Sequence, residues 1–234
     1  SGRITVFGKD NLKHEEEIKR NIGFVYDMPR FYDDARLVDI ARAVTPFYSK
    51  WDQDRFESLV DQFGLPVRRK FKKLSAGMKT QFALCLALSH DADLILMDEP
   101  TTGLDPVMRR ELLEQLREIL QDERKSIVFS THITSDLERI ADYITCVSRG
   151  HVVFSMPRDE ILGRWGVVKG DEATMSGEIQ PLLCSVRQGA FGCEALTDNM
   201  KAVRELLPPK AIVETATLED IVVLLQKEDT RCSL

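Results

Sequence analysis

The run Leu94-Ile95-Leu96-Met97 is apolar at every position and ends in two adjacent acids, Asp98 and Glu99. A strand apolar on both alternating faces belongs inside a parallel sheet that is covered by helices. Its acids then fall at the carboxyl edge of the sheet, the edge where open α/β proteins bind ligands. Such a strand needs neighbours. Ser126 to Ser130 is expected to be a second buried strand, and Val107 to Leu120 has helical spacing between the two. Strand, helix, strand in that order implies a right-handed parallel α/β core.

The rest of the chain arranges itself around that core. Ile4 to Phe7 is strand-like and ends in a Gly8-Lys9-Asp10-Asn11 turn, and Ile22 to Tyr26 is a further apolar stretch. Arg36 to Val44 and Asp52 to Phe63 have helical spacing, with Pro46 between them and Gly64-Leu65-Pro66 after them, so the region from about 30 to 90 is mainly helical. Ser75 is placed to cap a helix running to about Ser89. A short helix at Ser135–Ala141 precedes a hairpin of Tyr143–Val147 and His151–Phe154 about Ser148-Arg149-Gly150. From about Asp159, glycines punctuate short strands and Leu218 to Gln226 is amphipathic, which makes a small α+β appendage.

Composition excludes some functions. The longest unbroken apolar run, Phe82 to Leu88, has seven residues, against about 20 for a membrane helix, so membrane contact is expected through a partner. A net charge of −6 argues against duplex nucleic acid as the main ligand. The one basic cluster, Arg68, Arg69, Lys70, Lys72 and Lys73, is local and is read as a solvated loop. The five cysteines are odd in number and show no CxxC spacing, which suggests a reduced, intracellular chain without a zinc site. A start at Ser1 without Met points to a fragment or a processed chain.

Three further segments carry chemistry. Leu74-Ser75-Ala76-Gly77-Met78 opens a helix with a hydroxyl and two small residues, a pattern that lets free backbone N–H groups approach an anion. Thr101-Thr102-Gly103-Leu104-Asp105-Pro106 is a tight acidic turn. Ser130-Thr131-His132 ends the second strand, where His132 could meet a phosphate or an attacking water, or simply cap a helix. In a phosphate-transferring site Asp98 would hold Mg²⁺ and Glu99 would orient and deprotonate water.

In this order, LSAGM, LILMDEP, GLDP and STH resemble the ATP-binding-cassette (ABC) ATPases, over most of residues 1 to 154. LSAGM is similar to the family signature, Asp98 and Glu99 to the Walker B pair, Gly103 to Pro106 to the D-loop, and His132 to the switch histidine. The resemblance implies a RecA-like α/β core in residues 1–29 and 91–157, a helical signature subdomain in 30–90 and a C-terminal α+β appendage in 158–234. It implies ATP and Mg²⁺ as ligands. Ser75, Ala76, Gly77 and Asp105 would face nucleotide, Asp98 and Asp27 metal, and Glu99 and His132 the reacting water. The implied partners are a second ATPase subunit and a separate integral-membrane permease, with no nucleic acid, and the implied location is the inner face of the cell membrane.

Two departures stand out. Asp27 occupies the place where the family usually carries Gln; it could still hold Mg²⁺, unless the register slips by one or the acid simply faces water. The phosphate loop G-x-x-x-x-G-K-[ST] does not occur in the 234 residues. Gly2 to Asp10 mimics it with five intervening residues and an acid in place of the metal-binding hydroxyl. The resemblance sets the missing strand inside the sheet, flanked by strands such as Leu94–Met97 and Ser126–Phe129, and implies that this chain alone is inactive, because Walker A is absent. Two other readings stay open: a module that lends its signature to a partner's ATP, and a non-transport ABC ATPase.

Overall fold

Local chain geometry sets the first turn: Phe7 and Gly8 both take positive φ, 51° and 73°. Around them strand β1 (Thr5–Val6) pairs antiparallel with β2 (Lys9–Asp10), so Lys9 and Asp10, expected in the turn, belong to a strand instead. A computed structural model describes residues 2–27, 29–189 and 192–225. The chain divides between His132 and Ile133 into two compact units.

In the first unit, helix α1 (Glu15–Arg20) carries three acids in its first turn and Lys19 and Arg20 in its last, matching the helix dipole. It leads into β3 (Ile22–Val25). Helices α2 (Leu37–Val44) and α3 (Gln53–Gln62) follow, the latter capped by the Asp52 carboxylate. Helix α4 (Ala76–Leu88) is buried at every position from Thr80 onward. Such all-round burial means that both sides of the helix meet protein. One side joins a cluster of Leu37, Ile40, Phe56, Val60, Phe71 and Phe82. On the other, a Cβ at Gly23 of β3 would lie 2.9 Å from both the Cβ and the carbonyl oxygen of Ala87. Glycine is therefore what lets α4 lie against the sheet. The expected basic cluster is exposed, and Lys70 and Lys72 pair with Asp34, holding its carboxyl down at about 2.

Strand β4 (Leu94–Asp98), helix α5 (Pro106–Ile119) and β5 (Ser126–Ser130) complete a three-stranded parallel sheet in the order β3-β4-β5. Leu94 faces Ser126 and Asp98 faces Ser130, with five residues in register. Direct pairing of β4 with β5 corrects the expectation that a further strand lies between them. Residues in register share a face, and successive residues alternate. Gly23, Val25, Ile95 and Met97 lie on one face and are buried; Phe24, Leu96 and Val128 form a row on the other, with Phe24 44% and Val128 59% exposed. No residue of β5 is buried, so the expectation of a second buried strand is also corrected. Apolar composition states what a strand tolerates; it does not state which side is covered.

The second unit begins with α6 (Thr134–Ile140) and the hairpin β6 (Tyr143–Ser148) and β7 (His151–Pro157), turned by Arg149 and Gly150 at φ 50° and 80°. Then come α7 (Arg158–Arg164), β8 (Gly166–Gly170), α8 (Glu172–Met175), β9 (Ser185–Gly189), β10 (Gly192–Thr197), α9 (Met200–Leu206), β11 (Ile212–Thr215) and α10 (Leu218–Leu225). The expected end of that helix, Gln226, lies outside the described residues. Strands β8 to β11 form an antiparallel sheet in the order β11-β8-β10-β9. With α8 and α9 as connections this is the β-α-β-β-α-β ferredoxin-like arrangement. Val168, Ala195, Met175 and Val203 pack together in one cluster. Val167, Leu196, Trp165, Phe154 and Ile221 pack in another. Cys85, Cys146 and Cys193 are free thiols, whereas Cys184 is disulfide-bonded. That corrects the expectation of a fully reduced chain, because spacing along the chain carries no signal for a bridge that folding creates.

Candidate nucleotide site

Strand β4 ends at Asp98, and the next residue, Glu99, has φ +46°. A non-glycine residue in this region is uncommon and strained. The backbone turns out of the sheet here while the Glu99 N–H still donates to the Ser130 carbonyl at 3.0 Å. The turn carries the Glu99 side chain toward the end of β5, and its Oε2 lies 2.8 Å from His132 Nδ1. Thr102 donates its hydroxyl to the same oxygen at 2.9 Å. The Glu99 side chain is 25% exposed and the His132 ring 69%. A carboxylate held between an imidazole and a hydroxyl, and still open to water, is arranged to take a proton from a bound water.

Asp98 is exposed, and its Oδ1 accepts from the Ser130 hydroxyl at 2.5 Å. Register explains this contact, since Asp98 and Ser130 are partners across the two strands. Asp27 is exposed two residues beyond β3, the strand on the other side of β4. Exposed carboxylates at the ends of adjacent parallel strands suit a hard, oxygen-seeking cation such as Mg²⁺. Among the described residues no three His, Cys, Asp or Glu side chains form a metal-holding group. A Mg²⁺ site built on one or two carboxylates needs no such cage, because water and phosphate oxygens supply the remaining ligands.

Ser75 caps α4, its hydroxyl oxygen accepting from the Met78 N–H at 3.2 Å. Ser75 and Ala76 are exposed, whereas Gly77 is buried. A Cβ on Gly77 would meet Met108 Cε at 2.8 Å and Leu104 Cδ2 at 3.0 Å. The small residue at position 77 thus serves packing within the chain as well as any approach to an anion. Asp105 caps α5 by accepting from the Val107 and Met108 N–H groups at 3.0 and 3.1 Å.

The structure therefore brings Asp98, Glu99 and His132 to one edge, together with two residues for which the sequence alone suggests no role there, Ser130 and Thr102. Nothing in the sequence announces Ser130 as a partner of Asp98, since the contact depends on strand register. Gly77 lies against Leu104 of the turn and Met108 at the start of α5, while Asp27 stands in the loop after β3.

Residues 10–135, more than half of the chain, match the family described as AAA domain, putative AbiEii toxin, Type IV TA system. The ABC transporter ATP-binding protein YtrB of Bacillus subtilis is 32% identical over 69% of this chain and 55% of its own length. The bacitracin transport ATP-binding protein BcrA of Bacillus licheniformis is 27% identical over 70% of this chain and 54% of its own. The chain thus spans about half the length of these curated relatives. A solved structure of the ATP-binding subunit of an ABC transporter superposes with a TM-score of 0.62 and 26% identity, covering 69% of each chain. By the match over more than half its length, the chain belongs to this AAA-domain family, as an ATP-binding-cassette ATPase.

Proposed function

We propose that this chain supplies the signature and the water-activating edge of an ABC transporter ATPase, which closes into a dimer on ATP and drives a separate permease. The observation that carries the reading is the Glu99 carboxylate, held by His132 at 2.8 Å and by Thr102 at 2.9 Å beside Asp98. Glu99 takes the proton of the water that attacks the γ-phosphate. His132 keeps the Glu99 carboxylate in place and stands ready to donate toward the phosphate. Asp98, oriented by Ser130, and Asp27 would hold Mg²⁺, which would supply neutralisation of phosphate charge. Ser75, Ala76 and Gly77 at the start of α4, with Asp105, face the nucleotide of the opposing subunit. Phosphate-loop N–H groups and a lysine, which these residues do not supply, would complete the site.

Relatives whose names describe ATP-binding subunits of ABC transporters support this reading. No helix among the described residues is long and apolar enough to cross a membrane; attachment at the inner face of the membrane through the permease is part of this proposal. The test is turnover. Fused behind a phosphate-loop segment, the chain is expected to hydrolyse ATP, and Glu99→Gln to lower kcat about 10²-fold or more while ATP binding persists. Turnover of the variant at the parent rate would remove Glu99 from the role of base.

A further inference from the structure

Strands β8, β9 and β10 carry a charged row across one face of their sheet. Register sets Lys169 opposite Glu194 and Glu194 opposite Arg187, and cross-strand partners share a face. Two residues along each of β8 and β10, on the same face, Val167 lies opposite Leu196. Both are buried and pack with Ile221 and Leu224 of α10. The helix therefore covers the apolar row and leaves the charged one beside it. A cavity of about 110 Å³ lies where they meet. Val167, Val223 and Leu224 give it an apolar side, and Lys169, Glu194 and Arg187 a polar one.

Some of the lining charges are already committed. Lys169 Nζ pairs with Glu214 Oε2 at 2.6 Å. That hydrogen bond and charge hold the ammonium above the ordinary lysine range, with smaller contributions from Glu194 and Asp220. Asp220 Oδ2 accepts from the Thr217 N–H and hydroxyl at 2.9 and 2.6 Å. Arg187 and Glu194 face each other across β9 and β10, yet neither makes a hydrogen bond or an ion pair among the described residues. One uncommitted cation and one uncommitted anion thus stand beside an apolar wall. A simple anion would meet the carboxylates of Glu194, Glu214 and Asp220 along with Arg187. A simple cation would leave Arg187 unanswered. A guanidinium fork matches a carboxylate, and a carboxylate accepts from an ammonium. An α-amino acid carries both groups on one carbon, so it can bridge two side chains whose Cβ atoms are about 5 Å apart. The volume is far below the roughly 300–1,000 Å³ of pockets for drug-sized ligands. It equals about four waters at about 30 Å³ each, so the ligand's own side chain must be short, and the wall favours an aliphatic one.

We propose that this cleft binds a short aliphatic α-amino acid, with its carboxylate on Arg187, its ammonium on Glu194 and its side chain against Val167, Val223 and Leu224. Every residue involved belongs to the second unit, so the proposal stands apart from the ATPase reading.

L-Valine, isovalerate and isobutylamine share a branched skeleton and differ in their charged groups: isovalerate lacks the ammonium and isobutylamine the carboxylate. Each can be titrated into the full 234-residue chain at constant ionic strength while the NMR amide signals of Val167, Lys169 and Glu194 are followed. L-Valine is expected to bind with Kd on the order of 1 mM, and the two analogues at least about tenfold more weakly. Arg187→Gln, at an exposed position, should weaken L-valine about tenfold and leave isobutylamine unchanged. Glu194→Gln should weaken L-valine and isobutylamine and leave isovalerate unchanged. Val223→Trp, at a helix position that is 42% exposed, should close the cleft to all three. Unchanged urea midpoints will show that the variants are folded. Each of three results would overturn the proposal: no saturable shift with L-valine at about 10 mM, tenfold above the expected Kd; isobutylamine binding as tightly as L-valine; or L-valine affinity unchanged in Arg187→Gln. Glu99→Gln turnover is a separate measurement, so failure here leaves the ATPase reading to be judged by itself.

Discussion

Gly77 lies so close to Met108 that a Cβ at position 77 would sit 2.8 Å from the Met108 Cε. The signature helix and the start of α5 are locked together at this point within one chain. Gly77→Asp would therefore act on folding before any second subunit is involved. It puts a carboxylate in a buried position against two apolar side chains. The expected cost is about 2–3 kcal/mol in urea unfolding of the chain alone. Met108→Ala should recover part of that cost by opening space. An undiminished unfolding midpoint in Gly77→Asp would show that the contact is not tight. Ser75→Ala, at an exposed position, is the cleaner probe of contact in trans: it should cost only about 1 kcal/mol of helix capping.

Asp98 and its partner Ser130 should separate metal binding from proton transfer. In a chain fused behind a phosphate-loop segment, Asp98→Asn is expected to raise the Mg²⁺ needed for half-maximal ATP hydrolysis about tenfold or more, because a charged ligand is lost. Ser130→Ala should shift the same titration in the same direction, by about tenfold, through loss of the hydrogen bond that orients Asp98. Unchanged Mg²⁺ curves in both variants would take the metal away from Asp98.

His90 predicts an acid-sensitive fold. Its folded-state pKa is about 4, against an ordinary value of 6.5. Between those values the unfolded chain binds more protons than the folded one, so stability rises with pH through this window. The contribution is complete above about 6.5 and is lost as pH falls toward about 4. Carboxylates add their own dependence, so the informative quantity is the difference between the parent and His90→Phe. The variant should show a flatter stability profile between pH 4 and 6.5. Parallel profiles would mean that His90 is not buried in solution.

Val128 predicts association. It is 59% exposed on the open face of the sheet, in the row with Phe24 and Leu96. It also sits on β5, which pairs only with β4 among the described residues. Exposed apolar strand edges template pairing with other chains. The 234-residue chain is expected to self-associate at micromolar concentration, and Val128→Lys to raise the onset of association severalfold by light scattering. A clean monomer with a sharp two-state transition would show that this face is harmless.

Much of the site was legible in the sequence because its signals are local. The Ser75 cap, the apolar run into Asp98-Glu99, the Gly103 turn and the position of His132 are each set by neighbours along the chain. Helix bounds were equally readable: α4 runs from Ala76 to Leu88 behind its Ser75 cap. Capping and periodicity act within a few residues, so the string of letters carries them.

What only the tertiary structure decided is non-local. Register put Ser130 opposite Asp98, and positive φ at Glu99 turned its carboxylate to His132. Close packing made Gly77 a contact of Met108. Side-chain burial left Val128 open although its composition suits a covered strand. His90 Nδ1 is left unpaired among the described residues only because Tyr48 and its other neighbours surround it. Each of these depends on which distant segments the folded chain sets side by side. Period and propensity describe a residue's tolerance for burial, whereas the neighbour that buries or exposes it is chosen by the packing of the whole unit.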